Sequence, residues 1–175
     1  MGGMIRTPPG FLRSGLTESG GNPSHGALMK SFISLIGSLV ISAIASAETD
    51  FPRGSFEMAD LEKAKALATT EKKDLAFIYT DKFTTCGLCQ EATAAYIDAV
   101  KSKAVIIYVD STANKTWWQK LPEPVRQALT PGKFIPKIVV TDATGSKVSA
   151  SLTYEAYKAD DSKAIRGLKK AMRAE

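Results

Sequence analysis

Histidine is nearly missing from this sequence: one residue in 175, His25, in a stretch of Gly, Pro and Ser with neither helical nor strand periodicity. Everything after it lacks imidazole, which excludes Ser-His-Asp and Cys-His catalysis and histidine metal ligands there. Cysteine is almost as scarce. Two residues cannot build a disulfide-rich scaffold or a four-cysteine zinc site, so no metal centre and no cofactor is expected. Charge of one sign is also in short supply, with 23 Lys+Arg against 18 Asp+Glu. No basic stripe interleaved with aromatics appears, which argues against a nucleic-acid partner. What is present, 44% hydrophobic and 23% charged residues, is the composition of a folded globular domain.

A single long apolar run stands near the start. Met29-Lys30 is followed by SFISLIGSLVISAIASA and then ETD. A basic beginning, an apolar core and the small-residue ending Ala45-Ser46-Ala47 are the parts of a secretory signal peptide. The run is 17 residues, interrupted by serines and a glycine, whereas a membrane span needs about 20 apolar residues. The reading is a polar leader over residues 1–28, disordered or not translated if Met29 is the start, a signal peptide over 29–47, and one domain over 48–175. Cleavage near Ala47 implies a periplasmic or secreted protein. From Glu48 onward 128 residues remain, with 20 basic and 17 acidic side chains, a net charge of +3.

Within that domain helical and strand periodicities alternate. Residues 59–71 (ADLEKAKALATTE) space Leu61, Ala64 and Ala68 as a helix does. Asp74–Thr80 (DLAFIYT) reads as a buried strand. Residues 87–101 form a second helix with Leu88, Ala92, Ala95, Tyr96 and Ala99 on its apolar side. Residues 104–109 (AVIIYV) are a strand without polar alternation, as expected when both faces are covered. Pro122 and Pro124 break up the next segment, leaving room for a short helix over 125–129. Strands over 138–142 and 147–152 flank a turn containing Gly145. A last helix over 160–172 opens on Asp160-Asp161-Ser162 and ends on basic residues that suit its dipole. Helix-separated strands imply a parallel β-α-β unit, and the hairpin adds antiparallel strands. The fold class is therefore α/β, a central mixed sheet flanked by helices.

Both cysteines lie where the first strong strand hands over to a helix, as Cys86-Gly87-Leu88-Cys89. A C-x-x-C beside a βαβ pattern is a redox signature. Two intervening residues, Gly87 and Leu88, let the sulfurs approach across one helical turn. Unpaired N–H groups and the positive dipole end at a helix N-terminus favour thiolate over thiol. Cys86, first in the turn, is then the attacking thiolate, and Cys89, one turn inside, the resolving thiol. Lys82 could add positive potential, although a loop lysine is usually solvated. Trp117-Trp118 reads as a cap on the core beside the irregular segment, or else as an exposed patch that grips a partner.

The strand DLAFIYT, the C-G-L-C helix start, the strand AVIIYVD and Phe134-Ile135-Pro136 before KIVVTD together resemble the thioredoxin superfamily. The similarity is greatest to its secreted bacterial thioredoxin-like members and spans residues 57–172. It implies a thioredoxin-like fold and a cis peptide bond at Pro136 facing the active-site disulfide. A backbone held extended at Ile135 could then pair with a substrate strand beside Cys86. The chain departs from the family pattern at four points. Thr85 stands where tryptophan is common, Leu88 where proline is common, and Lys137 where threonine follows the proline. The buried acid of the preceding strand has no counterpart among Tyr79, Thr80 and Asp81.

Three function classes follow. The first is thiol–disulfide exchange through Cys86 and Cys89 with exported protein thiols and disulfides, by a monomer; a reducing role would draw electrons from a membrane donor. The second is a redox-inactive binding module of the same fold, with Cys86–Cys89 as a structural disulfide. The third is thiolate binding of a soft metal such as Cu(I), disfavoured because no Met or His lies beside the motif.

Overall fold

A computed structural model describes residues 50–173. The leader and signal-peptide readings, residues 1–28 and 29–47, lie outside the described residues. Among the described residues no helix is long and apolar enough to cross a membrane.

The elements run β1 (Phe56–Glu57), α1 (Leu61–Glu71), β2 (Asp74–Thr80), α2 (Gly87–Val100), β3 (Ala104–Asp110), α3 (Asn114–Trp117), α4 (Glu123–Leu129), β4 (Lys137–Thr141), β5 (Val148–Leu152), α5 (Tyr154–Ala159) and α6 (Asp161–Ala171). Short 3₁₀ turns at Met58–Asp60 and Trp118–Lys120 lead into α1 and out of α3. The five strands form one sheet in the order β1-β3-β2-β4-β5. β1 and β2 lie parallel to β3, while β4 runs antiparallel to both β2 and β5. This is the mixed α/β sheet expected from the sequence, with the architecture of the thioredoxin-like fold.

The central strands are apolar throughout because each face meets a helical layer. Ala76 and Ile78 of β2, Ile106 of β3, and Ile138 and Val140 of β4 pack with Tyr96 and Val100 of α2 and Leu168 of α6. Their neighbours Leu75, Phe77, Ile107 and Val139 point the other way, against Ala64 and Ala68 of α1 and Val125 and Leu129 of α4. Burying one such Phe, Leu or Ile side chain contributes about 1.5–3 kcal/mol, so the alternation at period two fixes the register. Within that register Tyr79 sits opposite Lys137, and Thr80 opposite Asp110.

Three differences from the sequence reading have local causes. β1 is only two residues, too short for any period, and exists because it pairs with Ile107 and Tyr108 of β3. α5 is a separate helix. Thr153 caps its start by accepting from the Ala156 N–H, and Asp160, extended at φ −163°, ends it and caps α6 by accepting from the Lys163 N–H. Leu88, assigned to the apolar side of α2, is 58% exposed, since the first turn of that helix projects beyond the core.

Candidate functional site

β2 and β4 are adjacent and antiparallel, so the chain leaves the C-terminal end of β2 at the same end of the sheet where it enters β4. The Cys86 loop and the Ile135-Pro136 loop therefore emerge side by side. Each is held by different means.

Residues 81–86 are tied down by their own neighbours. Asp81 Oδ1 accepts from the Phe83 N–H at 2.9 Å, Thr84 Oγ1 from the Cys86 N–H at 3.3 Å, and the Gln90 side chain donates to Thr84 O at 2.7 Å. Cys86 is the N-cap of α2: extended at φ −76°, ψ 103°, it accepts the Cys89 N–H on Sγ at 3.3 Å. A sulfur thus takes the place of the usual Ser or Asp oxygen, satisfying one of the unpaired donors of the first turn.

The two thiols are unbonded, Cys86 exposed and Cys89 half-buried. Their acidities move in opposite directions. The Cys89 thiol, followed by the N–H groups of Cys89 and Leu88, lowers the Cys86 pKa against a small opposing effect of burial. Burial first, then the hydrogen bond to Cys86 and its negative charge, push Cys89 up to about 11. The Lys82 ammonium lies over the rings of Phe83 and Tyr108, 5.1 and 5.7 Å from their centroids.

Beneath Cys89, where no acid was found in the sequence, there is a pair of hydroxyls. Thr93 Oγ1 donates to Cys89 O at 2.8 Å and lies 3.2 Å from Thr80 Oγ1, both threonines being fully buried. With its only proton given to Cys89 O, Thr93 must accept from Thr80.

Ile135-Pro136 is a cis peptide bond, as the resemblance implied. Pro136 is buried and Ile135 half-buried, just outside the β2–β4 ladder, which begins at Lys137. The loop before it is held from far along the chain: Glu155 Oε1 accepts from the N–H groups of Lys133 and Phe134 at 2.6 and 3.1 Å. Gly87 opens α2 with nothing within 4 Å of where a Cβ would sit. The large apolar side chains most exposed among the described residues are Phe83, Leu88 and Phe134, one before Cys86, one between the cysteines and one before Pro136. Leu88 also lines a cleft of about 330 Å³ shared with Glu91, Tyr154 and Tyr157. The Tyr154 phenol is raised by burial and then by the negative charge of Cys89 and Cys86.

Several participants were not found by sequence reasoning. Glu155 and Tyr154 are remote in sequence and carry no motif, while the run Phe134-Ile135-Pro136 was a signal that could have marked Phe134 as exposed. Trp117 and Trp118 are half-buried against the core on the α1/α4 face, with Trp118 edge-on to Tyr79 at 5.9 Å, in line with a capping role. Among the described residues no group of three or more His, Cys, Asp or Glu side chains could hold a metal.

No protein-family model and no curated protein matches this chain. Among solved structures it is similar to a disulphide isomerase from Xylella fastidiosa Temecula1, at 12% identity over 71% of this chain and 94% of that one, with a TM-score of 0.43. It is also similar to a DsbH oxidoreductase, at 17% identity over 82% and 95% of the two chains, with a TM-score of 0.37. The fold is read from the chain's own strand order.

Proposed function

We propose that the protein is a thiol–disulfide oxidoreductase acting on exported proteins, with Cys86 as attacking thiolate and Cys89 as resolving thiol. The observation that carries this reading is the geometry of two sulfurs on one helical turn, an exposed Cys86 Sγ accepting the Cys89 N–H at the start of α2 and a half-buried Cys89 behind it. Burial and hydrogen bonding there move their acidities in opposite directions. The Cys86 thiolate attacks one sulfur of a partner disulfide, that S–S bond breaks, and the first partner sulfur leaves as a thiolate that takes up a proton. Cys89 then gives up its proton and attacks Cys86 Sγ, releasing the second partner sulfur. Two electrons have passed to the partner and Cys86–Cys89 is oxidised; the reverse sequence oxidises a partner dithiol. Ile135 offers its extended main chain, just ahead of Pro136, and Leu88 and Phe134 offer exposed apolar surface, to a strand of the partner. Gly87 keeps the approach to Cys86 open.

The two steps should separate with pH. The rate of Cys86 alkylation levels off below the ordinary thiol range, because its thiolate is already formed. Resolution of a mixed disulfide by Cys89 keeps rising beyond that point, because burial, the largest cause of its raised pKa, still opposes its thiolate when Cys86 is engaged. Stopped-flow alkylation and release of a glutathione mixed disulfide measure the two. A Cys89→Ser variant should trap partner proteins covalently. A Cys86–Cys89 disulfide that resists glutathione and dithiothreitol buffers would overturn the proposal in favour of a structural bridge.

A further inference from the structure

On the α1/α4 face of the sheet, away from α2 and the cysteines, lies a cavity of about 520 Å³ that shares only Ile135 with the proposed exchange site. Its walls include Tyr79, Trp118, Gln119, Lys133, Ile135 and Lys137. Lys137 is the unusual member. It is only 7% exposed, and its Nζ donates to Leu129 O and Gly132 O, each at 2.8 Å. Among the described residues no carboxylate lies within 4 Å of it, and no acidic residue lines the cavity. The carboxylate of Glu155 acts on it only at longer range, and its Oε1 is already engaged by the Lys133 and Phe134 N–H groups.

A buried ammonium costs several kcal/mol unless something compensates its charge. Two neutral carbonyls satisfy two of its three donors and leave one N–H, while the opposing charge of Glu155 reaches it only from beyond ion-pair distance. Lys133 brings a second cation to the exposed rim, and Gln119 adds an amide. Tyr79 and Trp118, packed edge-on, form an aromatic wall. We infer that this cavity binds a carboxylate borne on an aromatic body, the anion meeting Lys137 and the ring lying against Tyr79 and Trp118. The volume falls within the about 300–1,000 Å³ of small-molecule sites. The acid could be a free small molecule or the C-terminal carboxylate of a chain ending in an aromatic residue.

Isothermal titration of the full chain with phenylacetate and with phenylacetamide tests the charge. N-acetyl-Gly-Phe with a free or an amidated C terminus tests the source. At least one acid should bind about tenfold more tightly than its amide, with NMR shifts centred on the Trp118 indole and the Tyr79 and Ile135 amides. Binding of phenylacetate assigns a small-molecule site, and binding of the peptide acid alone assigns the site to chain ends. Lys137→Gln keeps a donor for the two carbonyls and should abolish the preference of acid over amide. Should that variant not fold, Lys133→Gln on the exposed rim should weaken the acid several-fold and leave the amide unchanged. Equal binding of acid and amide, absence of binding by either acid, or shifts centred elsewhere would overturn the inference. None of these readouts depends on the cysteines.

Discussion

The two loops that meet at one end of the sheet are built on opposite plans. Residues 81–86 are held mainly by bonds within ten residues, Asp81 to Phe83, Thr84 to Cys86, Gln90 to Thr84, and Cys86 Sγ to the Cys89 N–H, with one longer-range bond at 3.4 Å from the Lys82 N–H to the Tyr108 hydroxyl. Residues 130–136 are held by the Lys137 ammonium at the loop's own end and, from far along the chain, by the Glu155 carboxylate of α5. A locally tied loop can be altered at one residue while its other bonds persist. A loop whose N–H groups hang on one remote carboxylate transmits any change at that anchor to what it carries, here Ile135 and Pro136.

The sharpest way to break the comparison is a methyl group at the two glycines. Gly132 sits at φ +82°, and a Cβ there would meet Glu155 Oε2 at 2.6 Å. Glu155 cannot easily move aside, because the same carboxylate holds two N–H groups of that loop. The left-handed conformation alone costs a non-glycine residue about 1–2 kcal/mol, and the displaced anchor adds to it. Gly132→Ala should therefore destabilise by about 2–3 kcal/mol in urea unfolding, a larger effect than substitution at Glu155 or Gly87. A loss below about 0.5 kcal/mol would mean that the loop does not depend on Glu155.

Glu155→Gln removes charge and leaves an acceptor, so its effect should be smaller, on the order of 1 kcal/mol. Its signature is in the pH dependence. The Glu155 N–H first, with the N–H groups of Lys133 and Phe134 after the opposing effect of burial, holds its pKa below the usual carboxylate value. A depressed acid stabilises the fold at all pH above its unfolded pKa, and that contribution fades as pH falls through the folded one. Thermal melts of the wild type should lose stability in that acid window, and the Gln variant should lose less. Parallel slopes would remove Glu155 from its anchoring role.

The same contrast explains what could be read from the sequence. β2 was legible to its ends, Asp74–Thr80, and α2 to within a residue, because their signals are local: an apolar run bounded by charges, and a capping residue followed by helical spacing. The Cys86 N-cap belongs to that class. The cis bond at Pro136 was expected only through resemblance. Nothing near Lys133 announces that its N–H is met by a side chain 22 positions later. Lys137 reads as a polar substitution after the proline, yet its alternation with Ile138 on β4 turns it inward, and only the α4–β4 connection supplies the carbonyls that tolerate it. Thr80 and Thr93 are ordinary in sequence, and become a hydroxyl chain under Cys89 only when α2 packs on β2.

The smallest effect is expected at Gly87. It occupies the first position of α2, its φ lies outside the left-handed range, and a Cβ there meets nothing within 4 Å. Glycine therefore gives this helix start no steric service and carries the usual entropic cost in the unfolded chain. Gly87→Ala should raise stability by about 0.4–1 kcal/mol. The Cys86 Sγ to Cys89 N–H bond does not involve Gly87, so the acidity of Cys86 should stay where it is, as read by the pH midpoint of its alkylation. The added methyl group stands on the exposed first turn, where a partner strand would approach Cys86. If exchange with a small disulfide is unchanged while exchange with a protein disulfide slows, the glycine is kept for partner access. If both are unchanged, the Cys86 loop tolerates change even inside its motif, which is the behaviour that separates it from the loop at Gly132.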